Sequence, residues 1–150
     1  MSNPTFLGLE PLIVARLEDT VRAALQVAVL STADIAGATE ASLPKPSVRV
    51  VYGGHRYVRV GNGGLPMVEQ TWLAVPAVRN VRSMQSGAPG RAEISPLCDA
   101  VLDALEGWSP KHGYGRLESV TPSLGPATFE GCTFVPLAFL SRFSRSQSCA

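Results

Sequence analysis

Two histidines and three cysteines are the residues in this 150-residue chain best suited to act as base, nucleophile or soft metal ligand. His55 stands just after a Gly-Gly pair read as a hairpin turn, and His112 lies in the glycine-rich run Lys111-His112-Gly113-Tyr114-Gly115. Cys98, Cys132 and Cys149 form no Cys-x-x-Cys, so neither a zinc knuckle nor a redox pair is indicated. A Cys–His pair would need Cys98 or Cys132 within hydrogen-bond reach of a histidine, and no spacing selects one. Both cysteines sit in apolar surroundings and read as core, which suits a reducing, intracellular compartment. Gly-x-Ser-x-Gly does not occur. Gly61-Asn62-Gly63-Gly64 lacks the Lys-Ser/Thr of a phosphate loop and reads as a turn. Asp99 and Asp103 share one helix face, as solvated carboxylates do. The expectation is no catalytic site, no cofactor and no metal. Arg79, Arg82 and Arg91 bracket a small-residue stretch, 83–92, with two glycines and a proline. That stretch should be exposed, mobile and ordered on contact, and the three arginines are the candidate partner contacts.

Composition narrows the class. Thirteen Lys+Arg against twelve Asp+Glu leave a net charge of +1. A dedicated nucleic-acid or membrane-surface binder would carry a basic excess. Charged residues make up 17%, against about 25% in an average protein. Low charge gives weak colloidal repulsion, which fits a subunit that hides surface in an assembly. Disorder would need lower hydrophobicity and higher charge than this. The length suits one domain, here expected over residues 1–150 with frayed ends, the C-terminal one being 144–150. The N-terminus, Met1-Ser2-Asn3-Pro4, has no basic region followed by an apolar run, so no signal peptide is expected. No apolar stretch reaches the roughly 20 residues that span a bilayer.

The elements follow from periodicity. Leu9, Ile13, Leu17, Val21, Ala24, Leu25 and Ala28 recur at helical steps, predicting one amphipathic helix over 9–28. Pro11 suits its first turn, and Glu18 and Arg22 are an i,i+4 pair. Ser47–Val51 and His55–Val60 read as two strands around the Gly53-Gly54 turn. Residues 68–75 read as a third strand, antiparallel to the second, with Val68, Trp72 and Val75 packing. A second helix is predicted over 96–106, with Ser95 as N-cap, Pro96 as first residue and Gly107 as stop. Leu97, Val101, Leu102 and Leu105 form its stripe. Trp108 should fold back on it. Leu117–Thr121 and 128–143 read as β, the latter broken by Gly131 and Pro136. Strands segregate into runs, which predicts an α+β fold. The sheet should be mixed, mostly antiparallel, of about five strands against two helices.

The run Gln70-Thr71-Trp72-Leu73-Ala74-Val75-Pro76-Ala77-Val78-Arg79-Asn80 resembles a Gln-x-Trp strand ending in Val, Arg and Asn, the signature of the phage tail terminator family, proteins similar to the minor tail protein U type of tailed phages and prophages. Ala104-Leu105-Glu106-Gly107-Trp108-Ser109-Pro110 is similar to its helix end, and Glu130–Phe139 to its last aromatic strand. The resemblance covers most of residues 9–143. It implies an α+β subunit of a ring, expected to be a hexamer. The ring would cap the head-proximal end of the tail tube, stop its polymerisation and present the head-joining surface. The implied partners are further copies of the chain, the tail tube protein and a head–tail connector or neck protein, with DNA only passing through the lumen. The implied location is the virion tail, and the host cytoplasm during assembly. Another neck protein, such as a head-closure factor, and a small enzyme are the alternatives.

Overall fold

The computed structural model describes residues 4–39, 42–59, 66–79, 88–129 and 131–144. The first helix, α1 (Leu9–Leu17), passes through a π-helical segment, Glu18–Arg22, into a last turn, α2 (Ala23–Leu25). The Thr20 hydroxyl donates to the Arg16 carbonyl at 2.7 Å inside this run, a backbone-competing bond typical of threonine in helices. Leu9, Ile13, Leu17 and Val21 form the buried stripe, and Glu18 pairs with Arg22 at 3.9 Å. The helix is shorter than its periodicity predicts. Gln26 turns left-handed at φ +56°, Leu25 is 41% exposed, and Ala28 opens a strand, β1 (Ala28–Leu30). The short α3 (Thr32–Ile35) follows, started by a capping box between Ser31 and Asp34.

The sheet is built on two long strands, β2 (Ser47–Arg59) and β3 (Pro66–Arg79). They pair antiparallel over nearly their whole length. Gly53-Gly54 is therefore not a hairpin turn. It is a β-bulge, with Tyr52 opposite Trp72 and His55 opposite Gln70, so two β2 residues face Thr71 alone. Gly54 carries φ +114°, which glycine adopts without a Cβ penalty. β1 joins β2 in parallel along Ser47, Val48 and Arg49 only. β7 (Leu137–Ser144) runs antiparallel to β3 from Ala74 to Met67, and β4 (Glu118–Val120) lies beyond it. β6 (Cys132–Phe134) takes the other end of β3, with β5 (Ala127–Phe129) outside it. The fold is α+β with a mixed, mostly antiparallel sheet. Among the described residues it has seven strands, against about five expected: the two runs around Gly53-Gly54 are one strand, the run over 128–143 is three, and β1 is added.

The second long helix, α4, spans Ala88–Leu105. It starts well before the predicted Ser95 cap and carries Pro96 inside it. A mid-helix proline loses one hydrogen bond and crowds the preceding turn. Burial of Ile94, Leu97, Val101, Ala104 and Leu105 on one stripe offsets that cost. Half of the stretch expected to be a loop is thus helical, over 88–92; residues 83–87 lie outside those described. Gly107 ends the helix region as predicted, at φ +73°, and Trp108 folds back, its ring under the Arg16 guanidinium at 5.5 Å. Helix stripes and alternate strand residues (Val48, Val50, Val68, Trp72, Ala74, Phe139, Phe143) make one core. Val75, expected in that packing, lies half-buried on the opposite face. The chain is held from Thr5 onward. Tyr114 Oη donates to the Thr5 carbonyl at 2.7 Å and Gln70 donates to the Phe6 carbonyl at 2.6 Å. Ser144 is the last residue of β7; residues 1–3 and 145–150 lie outside those described. Among the described residues no helix is long and apolar enough to cross a membrane.

Candidate functional site

The most organised polar feature lies on the sheet face opposite the core. Arg56 on β2, Glu69 on β3 and Arg142 on β7 stand in one cross-strand row. Arg56 Nε donates to Glu69 Oε1 at 2.6 Å, and Arg142 Nε donates to Oε2 at 2.6 Å. The Glu69 side chain is 4% exposed, against 70% for Arg56 and 49% for Arg142. Burial alone would push the Glu69 carboxyl up; the hydrogen bonds and charges of Arg142 and Arg56 outweigh it and hold the group below its ordinary value. Arg142 is shifted up, first by its hydrogen bond to Glu69 and also by the charge of Glu118 nearby.

The bulge builds this row. Without the extra residue at Gly53-Gly54, Gly54 would face Gln70 and Arg56 would face Val68 on the core side. One added residue flips the phase of everything after it. A groove of about 360 Å³ beside the bulge is lined by Gly53, Gly54, His55, Arg56, Glu69 and Thr71. Arg56 is the guanidinium in its lining, oriented by Glu69, while Arg142 holds the other oxygen of that carboxylate from outside the groove.

The residues singled out from sequence are dispersed. His55 lies in β2, not in a turn, on the core side of the sheet rim. It packs edge-on to Phe6 at 4.8 Å and to Tyr57 at 5.3 Å, and its Nδ1 is hydrogen-bonded to the Tyr52 hydroxyl. Burial, and then the charge of Tyr57, shift the Tyr52 hydroxyl up, so the pair holds a neutral phenol. His112 is exposed in a tight turn at φ +55°. Cys98, half-buried on α4, has a thiol pushed up to about 11 by burial and then by Asp99, which keeps it protonated and a poor nucleophile at neutral pH. Cys132 is buried in β6. Among the described residues no group of His, Cys, Asp and Glu has the spacing of a metal site.

Arg79 ends β3 as an exposed residue, opposite Cys132. Arg91 falls within α4 by its backbone, and its side chain lies outside what is described; Arg82 lies outside the described residues altogether. Arg56, Glu69 and Arg142 were not singled out from sequence. The available signal was a carboxylate, Glu69, between Val68 and Gln70 inside a strand.

No curated protein matches the chain. The family model described as phage tail terminator protein matches residues 2–148, which takes in the described helices and strands and the Arg56–Glu69–Arg142 row. An α+β subunit with a packed core and a charged, groove-bearing sheet face is consistent with that match, and the chain belongs to the phage tail terminator family, structural proteins of the virion tail.

Proposed function

We propose that the protein assembles into a ring, a hexamer, that caps the head-proximal end of the tail tube, ends tube polymerisation and presents the surface to which the head joins. Its partners in this reading are further copies of itself, the tail tube protein and a head–tail connector or neck protein. DNA meets it only in passing through the lumen. Assembly takes place in the host cytoplasm. The match to the tail terminator family across residues 2–148 carries this reading. The long β2 edge supports it, since unpaired strand edges are templates for association with another chain, and a closed ring uses such contacts without growing a filament. Arg79, Arg82 and Arg91 remain candidate contacts to the tube or to a neighbour. The test is tube assembly in vitro, followed by electron microscopy. Tubes of growing length should stop elongating on addition of the protein, with a ring of density at one end. Continued elongation and bare tube ends would reject the reading.

A further inference from the structure

The two edges of the sheet, read across β2-β3-β7-β4, are unlike. On the side of β2 away from β3, β1 pairs only Ser47, Val48 and Arg49. Among the described residues, 50–59 have no strand partner there. This open edge carries Arg56 and Arg59, both exposed, and Tyr57, which is 66% exposed. The opposite edge, β4, is short and acidic. Glu118 is exposed on it, one step along from the Glu69–Arg142 row and near enough to act on Arg142. Glu106 covers the same edge, its carboxylate accepting the Ser119 N–H at 2.8 Å and the Ser119 hydroxyl. Arg116, exposed two residues before the strand, is a cation close by in sequence. Arg56, Glu69 and Arg142 stand in one row and Glu118 lies one step along from it, so the β2 edge displays guanidinium groups and the β4 edge carboxylates.

Strand direction agrees with charge. β2, β3, β7 and β4 alternate in direction at every step, so a second β2 set beside β4 would continue the antiparallel order. We propose that neighbouring copies of this chain meet head to tail, the β2 edge of one against the β4 edge of the next. Arg56 faces Glu118 across the contact. This rests on the ring reading above and names the surfaces that make the ring. The outward backbone groups at this edge are already taken, the Ser119 N–H by Glu106 and the Leu117 N–H and carbonyl by Trp108 and Gly107, so ion pairs rather than a backbone ladder make the contact. Such a contact weakens with salt. It is heterologous: two different patches meet, which closes a ring when the rotation closes.

Light scattering on size-exclusion fractions tests it with Arg56→Glu, Glu118→Arg and their equimolar mixture. Each variant alone sets like charges at every contact and should run near the 15.9 kDa subunit mass. The mixture should recover the wild-type ring mass. Alternating copies then offer one native and one swapped pair, an outcome specific to a head-to-tail contact. Circular dichroism and the unfolding midpoint establish that each variant folds. If Arg56→Glu beside Glu69 does not fold, Arg56→Gln and Glu118→Gln should each raise several-fold the concentration needed for half-assembly. A wild-type ring whose mass neither charge variant changes overturns the proposal alone. So does a mixture of folded variants that stays monomeric. A wild-type protein that stays monomeric alone and with tail tubes overturns the ring reading and the proposal together.

Discussion

The two faces of the central sheet solve opposite problems with neighbouring residues. On one face Val48, Val50, Val68, Trp72 and Phe139 meet the stripes of α1 and α4 in a dry core. Trp72 keeps its single polar atom satisfied there, Nε1 donating to Gln70 Oε1 at 3.1 Å, while Gln70 holds the Phe6 carbonyl. On the other face, one residue away along the same strands, Arg56, Glu69 and Arg142 form a charged row. The first face converts apolar area into stability. The second displays charge and adds less to stability, because two of its three members are exposed. In this protein, then, the residues that hold the fold and those that display charge are separated by side-chain alternation rather than by distance along the chain.

That contrast can be broken most severely at Trp72. Trp72→Ala should cost about 3–5 kcal/mol, as expected for deleting a buried aromatic side chain, read as a fall in the denaturant midpoint. A change below about 1 kcal/mol would mean that Trp72 does not anchor the core.

Glu69→Gln should cost less, about 1–2 kcal/mol at neutral pH, since charge-assisted hydrogen bonds are lost but both arginines can turn to water. Its pH dependence sharpens the comparison. The folded Glu69 carboxyl is held below its ordinary value, so its contribution is fully present above the unfolded value of about 4.3. It is lost as pH falls through the lower folded value. The gap between wild type and Glu69→Gln should therefore be widest above pH ~5 and close on acidification. A gap that persists unchanged into strong acid would show a packing effect instead.

Arg56→Ala should have the smallest effect on the fold, under about 1 kcal/mol, because its side chain is largely exposed and Glu69 keeps Arg142. Its expected consequence lies in subunit association, measured by mass in solution. A large loss of stability with association intact would reverse the roles assigned to the two faces.

Much of the core was legible from the sequence. Leu9, Ile13, Leu17 and Val21 and the stripe Leu97, Val101, Leu105 follow a period of 3.6, and burial follows the period. The helix ends were less legible. Periodicity carried the first helix to Ala28, but the left-handed Gln26 ends it earlier so that β1 can pair with β2. Ser95-Pro96 has the local chemistry of a helix start, yet α4 runs through it because Ile94 and the residues after it are buried together. The resemblance in residues 70–80 and 104–110 reached the right family, because those segments keep their character without knowledge of the contacts around them.

Residue periodicity gives the fold class and the main buried stripes, and short motifs give the family. What Gly53-Gly54 does, and therefore which face Arg56 occupies, follows from strand pairing instead. A Gly-Gly pair between two β-forming runs serves equally as a turn or as a bulge. The choice depends on whether 47–51 pairs with 55–59 or both pair with β3, and that is a matter of long-range register. The same register brings Glu69 between Arg56 and Arg142, residues 13 and 73 positions away. No local pattern encodes such a meeting, because the side-chain period of a strand gives the face a residue points to and not the strand it will meet.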